Sequence, residues 1–273
     1  MAYRDELGIR MKEYYEQIPK TKLMRRTPVI IRLDGKAFHT FTKGFQKPFD
    51  EVMVKTMQET TKYLCENIQG CVLGYCQSDE ITLVLIDYQT FDAEAWFDYE
   101  VQKICSISAS MATMAFNRFF AKNAGTEERY QKKMGVAMFD SRAFNIPKEE
   151  VTNCVYWRQL DASRNSVQML GQAHFKHKEL QGKSCSEIQD KLMLEKGINW
   201  NNLPTCHKRG TCVVRRQVFV PKSNLSERFQ GELFKEGDTY GVYRQEWVID
   251  TEIPIFKGEG RAYIESLVQV GEV

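Results

Sequence analysis

No stretch of this sequence is apolar for long enough to cross a bilayer. The longest such run, Ile81-Thr82-Leu83-Val84-Leu85-Ile86, is strand-sized, far short of the ~20 residues a membrane helix needs. Residues 1–6 are already charged and hold no apolar leader, which argues against a secretory signal peptide. A strong charge of one sign is missing as well: 38 Lys and Arg face 36 Asp and Glu, a net charge of +2. Whole-protein basicity therefore does not advertise a nucleic-acid partner. There is no Cys-x-x-Cys pair, no internal repeat and no low-complexity stretch. These absences leave a soluble cytoplasmic protein as the expectation. A composition that is 42% hydrophobic and 27% charged fits that class.

Eight cysteines need a reason. Cys65 and Cys105 fall on apolar faces of expected helices, and Cys71 and Cys76 lie in or beside an expected strand. Such positions suit buried free thiols in a reducing compartment. Cys206 with His207 and Cys212, and His174 with His177, are a weak zinc candidate, because Cys-x5-Cys and His-x2-His are not usual ligand spacings. Basic residues cluster locally at Lys20, Lys22, Arg25 and Arg26, at Arg129, Lys132 and Lys133, and at Lys176, Lys178 and Lys183. Lys208 with Arg209 and Arg215 with Arg216 add two more groups. Each reads first as a solvated face; together they permit a polyanion partner without demanding one.

The hydrophobic pattern orders the first half of the chain. A short amphipathic helix is expected over 4–17. Pro28-Val29-Ile30-Ile31-Arg32-Leu33 reads as a buried strand running into the turn signal Asp34-Gly35. Phe49, Val52, Met53, Met57, Thr60, Thr61, Leu64, Cys65 and Ile68 recur at steps of three and four, a helix opened by Pro48 and closed near Gly70. Two strands, 71–75 and 81–86, flank a short connection and read as a hairpin. A second helix is expected over 94–121, its buried stripe running from Phe97 through Val101, Ile104 and Ser108 to Phe116 and Phe119. Gly135 through Asp140 reads as a fourth strand.

This β-α-β-β-α-β order is the ferredoxin-like, palm-type arrangement, an antiparallel sheet with helices on one face. The remainder reads as a mixed α/β extension, with helices near 162–177 and 184–196 and strands at 211–220 and 240–250. A boundary near Pro147 divides a catalytic part, 1–147, from a C-terminal part, 148–273.

Topology then brings distant residues together. Right-handed crossover makes the first two strands parallel, and the third runs between them in the opposite sense. The end of the first strand and the start of the third therefore share one sheet edge, placing Asp34 opposite Asp79. Close carboxylates repel unless they share a proton or a cation. Hard oxygen ligands of this kind suit Mg²⁺ together with substrate phosphates. Two such ions about 4 Å apart serve nucleotidyl transfer. Gly35 lets the backbone approach closely and offers a carbonyl as a further ligand.

The same segments resemble a known family. Arg32-Leu33-Asp34-Gly35-Lys36-Ala37-Phe38-His39-Thr40-Phe41, Lys47-Pro48-Phe49-Asp50 and Tyr75-Cys76-Gln77-Ser78-Asp79-Glu80 are similar to the tRNA-His guanylyltransferase superfamily. Phe139-Asp140-Ser141-Arg142, Trp157-Arg158-Gln159-Leu160-Asp161, the run from Gly197 to Pro204, and Lys208-Arg209-Gly210-Thr211 extend the likeness over roughly residues 5–215. The resemblance implies 3′-to-5′ addition of nucleotides to the 5′ end of a tRNA acceptor stem on a palm domain, by a protein that is commonly tetrameric. It implies two Mg²⁺ ions held by Asp34, Asp79 and the Gly35 carbonyl, with Glu80 supporting them. By the same match Asp34, Gly35, Lys36, Ala37, Phe38, His39, Ser78 and Asp79 line a pocket for GTP, ATP or another nucleoside triphosphate, and Lys47 and Lys103 contact phosphates. Where eukaryotic members carry His-Ile-Asn-Asn-Leu-Tyr-Asn-Thr, this chain has Ser163-Arg164-Asn165-Ser166-Val167-Gln168-Met169-Leu170. That departure resembles the bacterial and archaeal "like" branch, which favours templated 5′-end repair.

Two rival readings are a nucleotide cyclase or other palm nucleotidyltransferase, and a non-catalytic RNA-binding module. The module needs exposed aromatics on the central strands, and Ile30, Ile31, Leu83 and Leu85 do not supply them.

Overall fold

The computed structural model describes residues 5–226 and 231–271. Its elements run α1 (Glu6–Met11), β1 (Val29–Gly35), α2 (Phe38–Phe41), α3 (Glu51–Asn67), β2 (Cys71–Gln77), β3 (Glu80–Leu85), α4 (Val101–Ala124), α5 (Glu128–Gln131) and β4 (Phe139–Asn145). Then come α6 (Val151–His174), α7 (His177–Leu180), α8 (Cys185–Lys196), α9 (Thr205–Arg209), β5 (Thr211–Pro221), β6 (Phe234–Glu236), β7 (Thr239–Asp250) and α10 (Ala262–Glu265). One seven-stranded antiparallel sheet holds them, in the order β4-β1-β3-β2-β5-β7-β6. The palm order of the first four strands is as expected, and β5 continues the same sheet beyond residue 147 by pairing with β2.

The two faces carry separate cores. Under α3 and α4, Ile31, Leu33, Ile81, Leu83 and Leu85 pack against Leu64, Ile104, Ala112, Phe116 and Phe120. Under α6 and the C-terminal segment, Ile30, Leu73, Tyr75 and Val84 pack against Val151, Val155, Phe256 and Ile264. A smaller cluster, Val167, Leu170, Phe175, Ile188 and Leu192, joins α6 to α8.

Several boundaries differ from the sequence expectation. The helix expected at 94 starts at Val101, because the Val101 N–H is taken by the Thr21 carbonyl at 2.9 Å and Phe97 to Tyr99 turn with positive φ. Phe97 is consequently exposed, and Phe120 rather than Phe119 fills the core. The fourth strand starts at Phe139 and not at Gly135. Side chains of α4 occupy the preceding backbone: Asn117 bonds both the N–H and the carbonyl of Ala137, and Thr113 accepts from the Phe139 N–H. Helix α6 begins at Val151, eleven residues before the expected start at 162, since its buried stripe contains Thr152, Arg158, Gln159 and Ser166 and so does not read as apolar. The N-terminal helix exists over Glu6–Met11, capped by Asp5, but none of its residues is buried on this chain. Residue 4 of that expected helix lies outside the described residues.

Several basic clusters are spent internally. Arg25 bonds the buried carboxylate of Asp87 at 2.9 Å, Lys22 pairs with Asp98, and Arg216 pairs with Asp250. Lys208 is buried and donates to the Asn201 carbonyl at 2.6 Å.

Candidate active site

Side chains alternate along a strand. On β1, Ile31 and Leu33 enter the core under α3 and α4, and Ile30 enters the other; Arg32 and Asp34 therefore share the face of Ile30. Register sets Asp140, Asp34 and Glu80 opposite one another across β4, β1 and β3. Asp79 sits in the two-residue turn between β2 and β3, where Ser78 takes a φ of 50°. The Asp79 carbonyl accepts the Gly35 N–H at 3.1 Å. Asp34, at the end of β1, and Asp79, in the β2–β3 turn, are thus brought to one end of the sheet.

Electrostatics there are unsatisfied on one side and satisfied on the other. Burial pushes the Asp79 carboxyl above its ordinary range; the hydroxyl of Ser78 at 3.0 Å opposes this, and the charge of Asp34 adds to it. Burial likewise raises Glu80, against the pull of Arg158. Arg158 grips Glu80 through two bonds, Nε to Oε1 at 2.5 Å and Nη2 to Oε2 at 2.8 Å, and bonds Asp161 at 2.7 Å. Glu80 therefore already has a guanidinium bonded to it, whereas Asp79 has the Ser78 hydroxyl, its own backbone N–H and the weaker, unbonded pull of His39.

A cavity of about 780 Å³ opens beside the two aspartates. Asp34, Gly35, Ala37, Phe38, His39, Lys47, Ser78 and Asp79 all line it. Gly35 is required: a Cβ there would run into the Phe38 ring, which packs on Phe41, Phe116 and Phe139. Ala37 turns the chain with a φ of 55°, a left-handed conformation that is rare outside glycine. Lys36 is exposed and does not line the cavity.

Lys103 is not brought here. Helix α4 runs with Thr113 at Phe139 and Ser108 at Ser141, so its N-terminal turn lies towards the opposite end of the sheet. Lys103 pairs there with Glu100 at 3.8 Å. The zinc candidates are scattered too. Cys212 is buried in a strand, His174 and His177 are exposed on α6 and α7, and His207 stacks on Phe49 and bonds Glu51 at 3.1 Å. Among the described residues no group of three or more His, Cys, Asp or Glu is placed to hold a metal. Beyond Asp34 and Asp79, an ion there draws on backbone carbonyl oxygen, water or substrate for further ligands.

Residues outside the expected nucleotide site complete the wall: Asn165, Ser166 and Met169 of α6, with Phe49, Gln58, Thr211 and His207, the last named from sequence only as a weak zinc candidate. Their signal was present only as spacing. Ala162, Asn165, Ser166 and Met169 follow a helical step on a face that is partly polar.

Comparison with known proteins supplies the family. The model described as "tRNAHis guanylyltransferase" matches residues 8–147. A bacterial tRNA(His) guanylyltransferase-like protein, solved in complex with ATP, is 40% identical with a TM-score of 0.80, covering 97% of this chain and 100% of that one. A bacterial structure in complex with GTP is 38% identical with a TM-score of 0.74, over 97% and 99%. The tRNA(His) guanylyltransferase of Saccharomyces cerevisiae is 28% identical over 220 residues, 74% of this chain and 90% of its own. Matched by the family model across the palm and by solved bacterial relatives from end to end, the chain belongs to the tRNAHis guanylyltransferase family of nucleotidyltransferases, in its bacterial guanylyltransferase-like branch.

Proposed function

We propose that this protein adds nucleotides, directed by a template, to the 5′ end of a tRNA acceptor stem in the 3′-to-5′ direction. The observation that carries the reading is the meeting of Asp34 and Asp79 at one sheet end, on the wall of a cavity sized for a nucleoside triphosphate. Guanylyltransferase-like relatives solved with ATP and with GTP support that choice of occupant.

Two Mg²⁺ ions fit the donor set. Asp79 is a raised, half-buried carboxyl with a second carboxylate beside it and no cationic side chain bonded to it. A hard cation relieves that repulsion. Asp34, Asp79 and the Gly35 carbonyl are the residues that would hold the ions. When bound, Mg²⁺ neutralises phosphate charge and activates the attacking hydroxyl. The chain's own residues bind and orient. Lys47, exposed at the cavity rim, meets phosphate charge, and the cavity-lining segments at Asp34, Gly35 and Ala37 to His39, with Ser78, position the triphosphate. Glu80, clamped by Arg158, supports the metal-binding end by holding the start of β3 in place.

In the transfer, the 3′-hydroxyl oxygen of the incoming nucleotide bonds to the 5′ phosphorus of the RNA and loses its proton to solvent. The bond to the leaving group breaks, releasing pyrophosphate from a 5′-triphosphate end or nucleoside monophosphate from an NTP-activated end. Positioning and charge neutralisation carry such a step, and no side-chain nucleophile is needed. Residues 148–273 are assigned to tRNA binding, to oligomerisation or to both, and the assembly to a cytoplasmic homotetramer. The exposed apolar side chains of α1 and its continuation, Leu7, Met11, Tyr14 and Tyr15, suit a contact between copies. No described helix is long and apolar enough to cross a membrane.

The test is incubation of a 5′-truncated tRNA with labelled nucleoside triphosphates and Mg²⁺. Extension at the 5′ end is expected, falling at least about 10³-fold in Asp34→Ala and Asp79→Ala. Release of pyrophosphate from nucleotide alone, with no RNA extended, overturns the reading in favour of a cyclase.

A further inference from the structure

Helix α6 shows two different stripes beside the same carboxylates. Ala162, Asn165, Ser166 and Met169 line the nucleotide cavity. The turn before them carries Trp157, which lies outside that cavity and is 53% exposed. It is the most exposed of the four tryptophans: Trp96 and Trp247 are buried and Trp200 half-buried. Cations surround its ring. The Arg158 guanidinium carbon lies 4.4 Å from the ring centroid and that of Arg32 5.5 Å. Arg32 sits two residues before Asp34 on the same face of β1, and Arg142 stands opposite Arg32 on the edge strand β4. An indole more than half open to solvent, with guanidinium groups holding it and an acidic sheet end one step away, has no packing reason to be there.

Along β1 the two features follow one another: Asp34 lines the cavity that takes the triphosphate, and Arg32, two residues earlier and outside that cavity, lies over the Trp157 ring. In-line phosphoryl transfer sets the attacking and leaving oxygens on opposite sides of the phosphorus. An acceptor phosphate must therefore reach the aspartates from a direction the incoming nucleotide does not fill. Unpaired or terminal bases are held in RNA-binding proteins by stacking on aromatic rings beside cationic groups.

We propose that Trp157 is the stacking platform for the 5′-terminal base of the acceptor RNA, its ring held in place by Arg32 and Arg158. The assignment rests on the proposed 5′-extension activity and adds the RNA subsite to it. Trp157 is a positioning and binding residue: the stack fixes the terminal nucleotide so that its 5′ phosphate lies at Asp34 and Asp79. Nothing in the chemistry of the transfer passes through the indole.

The test uses the full-length protein with an RNA minihelix lacking its 5′-terminal nucleotide. Tryptophan fluorescence of the wild type should be quenched on adding the minihelix, and Trp157→Phe should abolish that quenching while still extending the RNA. Trp157→Ala should raise KM for the RNA about 5- to 100-fold, the range of one base–aromatic stack, and leave KM for the nucleotide unchanged. An unchanged KM for the RNA in Trp157→Ala overturns the proposal, as does quenching that persists in Trp157→Phe. Quenching on concentrating the protein without RNA also overturns it, by assigning the ring to a contact between copies. A wild type that extends no RNA sinks the parent activity; a wild type that extends it as well as Trp157→Ala does sinks only the platform.

Discussion

The two faces of the central sheet are held by different physics. Under α3 and α4 the contacts are apolar and largely aromatic: Phe38, Phe41, Phe45, Phe116, Phe120, Tyr130 and Phe139 pack ring against ring. Under α6 an apolar base of Val151 and Val155 gives way, towards the acidic end, to Arg158 bridging Glu80 and Asp161 and to Gln159 tying down Pro254 and Phe256. Hydrophobic burial is non-directional and tolerates shifts, while a bidentate ion pair fixes both distance and orientation. Both faces bury an apolar core, and the α6 face adds the placement of the carboxylates. The site lies where the two meet, since Phe38 supports Gly35 from one side and Arg158 holds Glu80 from the other.

That contrast can be broken by paired substitutions. Phe116→Ala should cost about 3–5 kcal/mol through the cavity it leaves. Arg158→Met should cost a similar ~3–5 kcal/mol for a different reason, the uncompensated Glu80 charge left behind. The two are separated by rescue: adding Glu80→Gln should recover much of the Arg158→Met loss in denaturant unfolding, and should recover none of the loss from Phe116→Ala. A single Arg158→Met that unfolds at the wild-type midpoint would show the polar face to be dispensable, and the comparison would fail.

A smaller effect sharpens the site itself. The Asp79 carboxyl is raised from its ordinary 3.8, chiefly by burial. Between pH 3.8 and that raised value the folded protein keeps a proton that the unfolded chain has released. The penalty is absent below pH 3.8, grows as the pH rises through the raised value, and is present in full at neutral pH. Asp79→Asn should accordingly raise the melting temperature of the metal-free protein at pH 7 and leave it unchanged at pH 3. By the proposed metal role, Mg²⁺ should raise the melting temperature of the wild type and leave that of this variant unchanged. A metal-free Asp79→Asn that melts lower than wild type at pH 7 would contradict this account.

The smallest effect is expected at a surface pair. Arg129 and Glu127 approach to 2.9 Å with side chains 45% and 54% exposed. Solvent screening and side-chain entropy cancel most of the attraction, so Arg129→Ala should change stability by no more than about 0.5 kcal/mol. A larger loss would mean that surface charge does structural work on this protein beyond the α6 face.

Legibility followed the same division. The apolar face was readable, because Ile31, Leu33, Leu83 and Leu85 alternate and Met53, Met57, Leu64 and Cys65 repeat at helical spacing. Palm order, hairpin and the meeting of Asp34 with Asp79 all came from that pattern. The α6 face was hidden by its own polarity: Arg158, Gln159 and Ser166 look solvated in sequence and are buried in the fold. Local capping also moved boundaries that no pattern announces, as where Asn117 and Thr113 occupy the backbone ahead of β4.

The sequence by itself determined the arrangement of the palm strands, the two aspartates at their end and the glycine between strand and cavity, because alternation, turn residues and crossover handedness are local or topological constraints; that β5, β7 and β6 continue the same sheet was decided by the tertiary structure. Only the tertiary structure decided which charges are spent and which are free. Glu80 meets Arg158 across 78 positions of chain and Asp79, among the described residues, bonds no lysine or arginine and feels only the charge of His39, and the strength of an ion pair depends on distance and burial, which residue order does not contain.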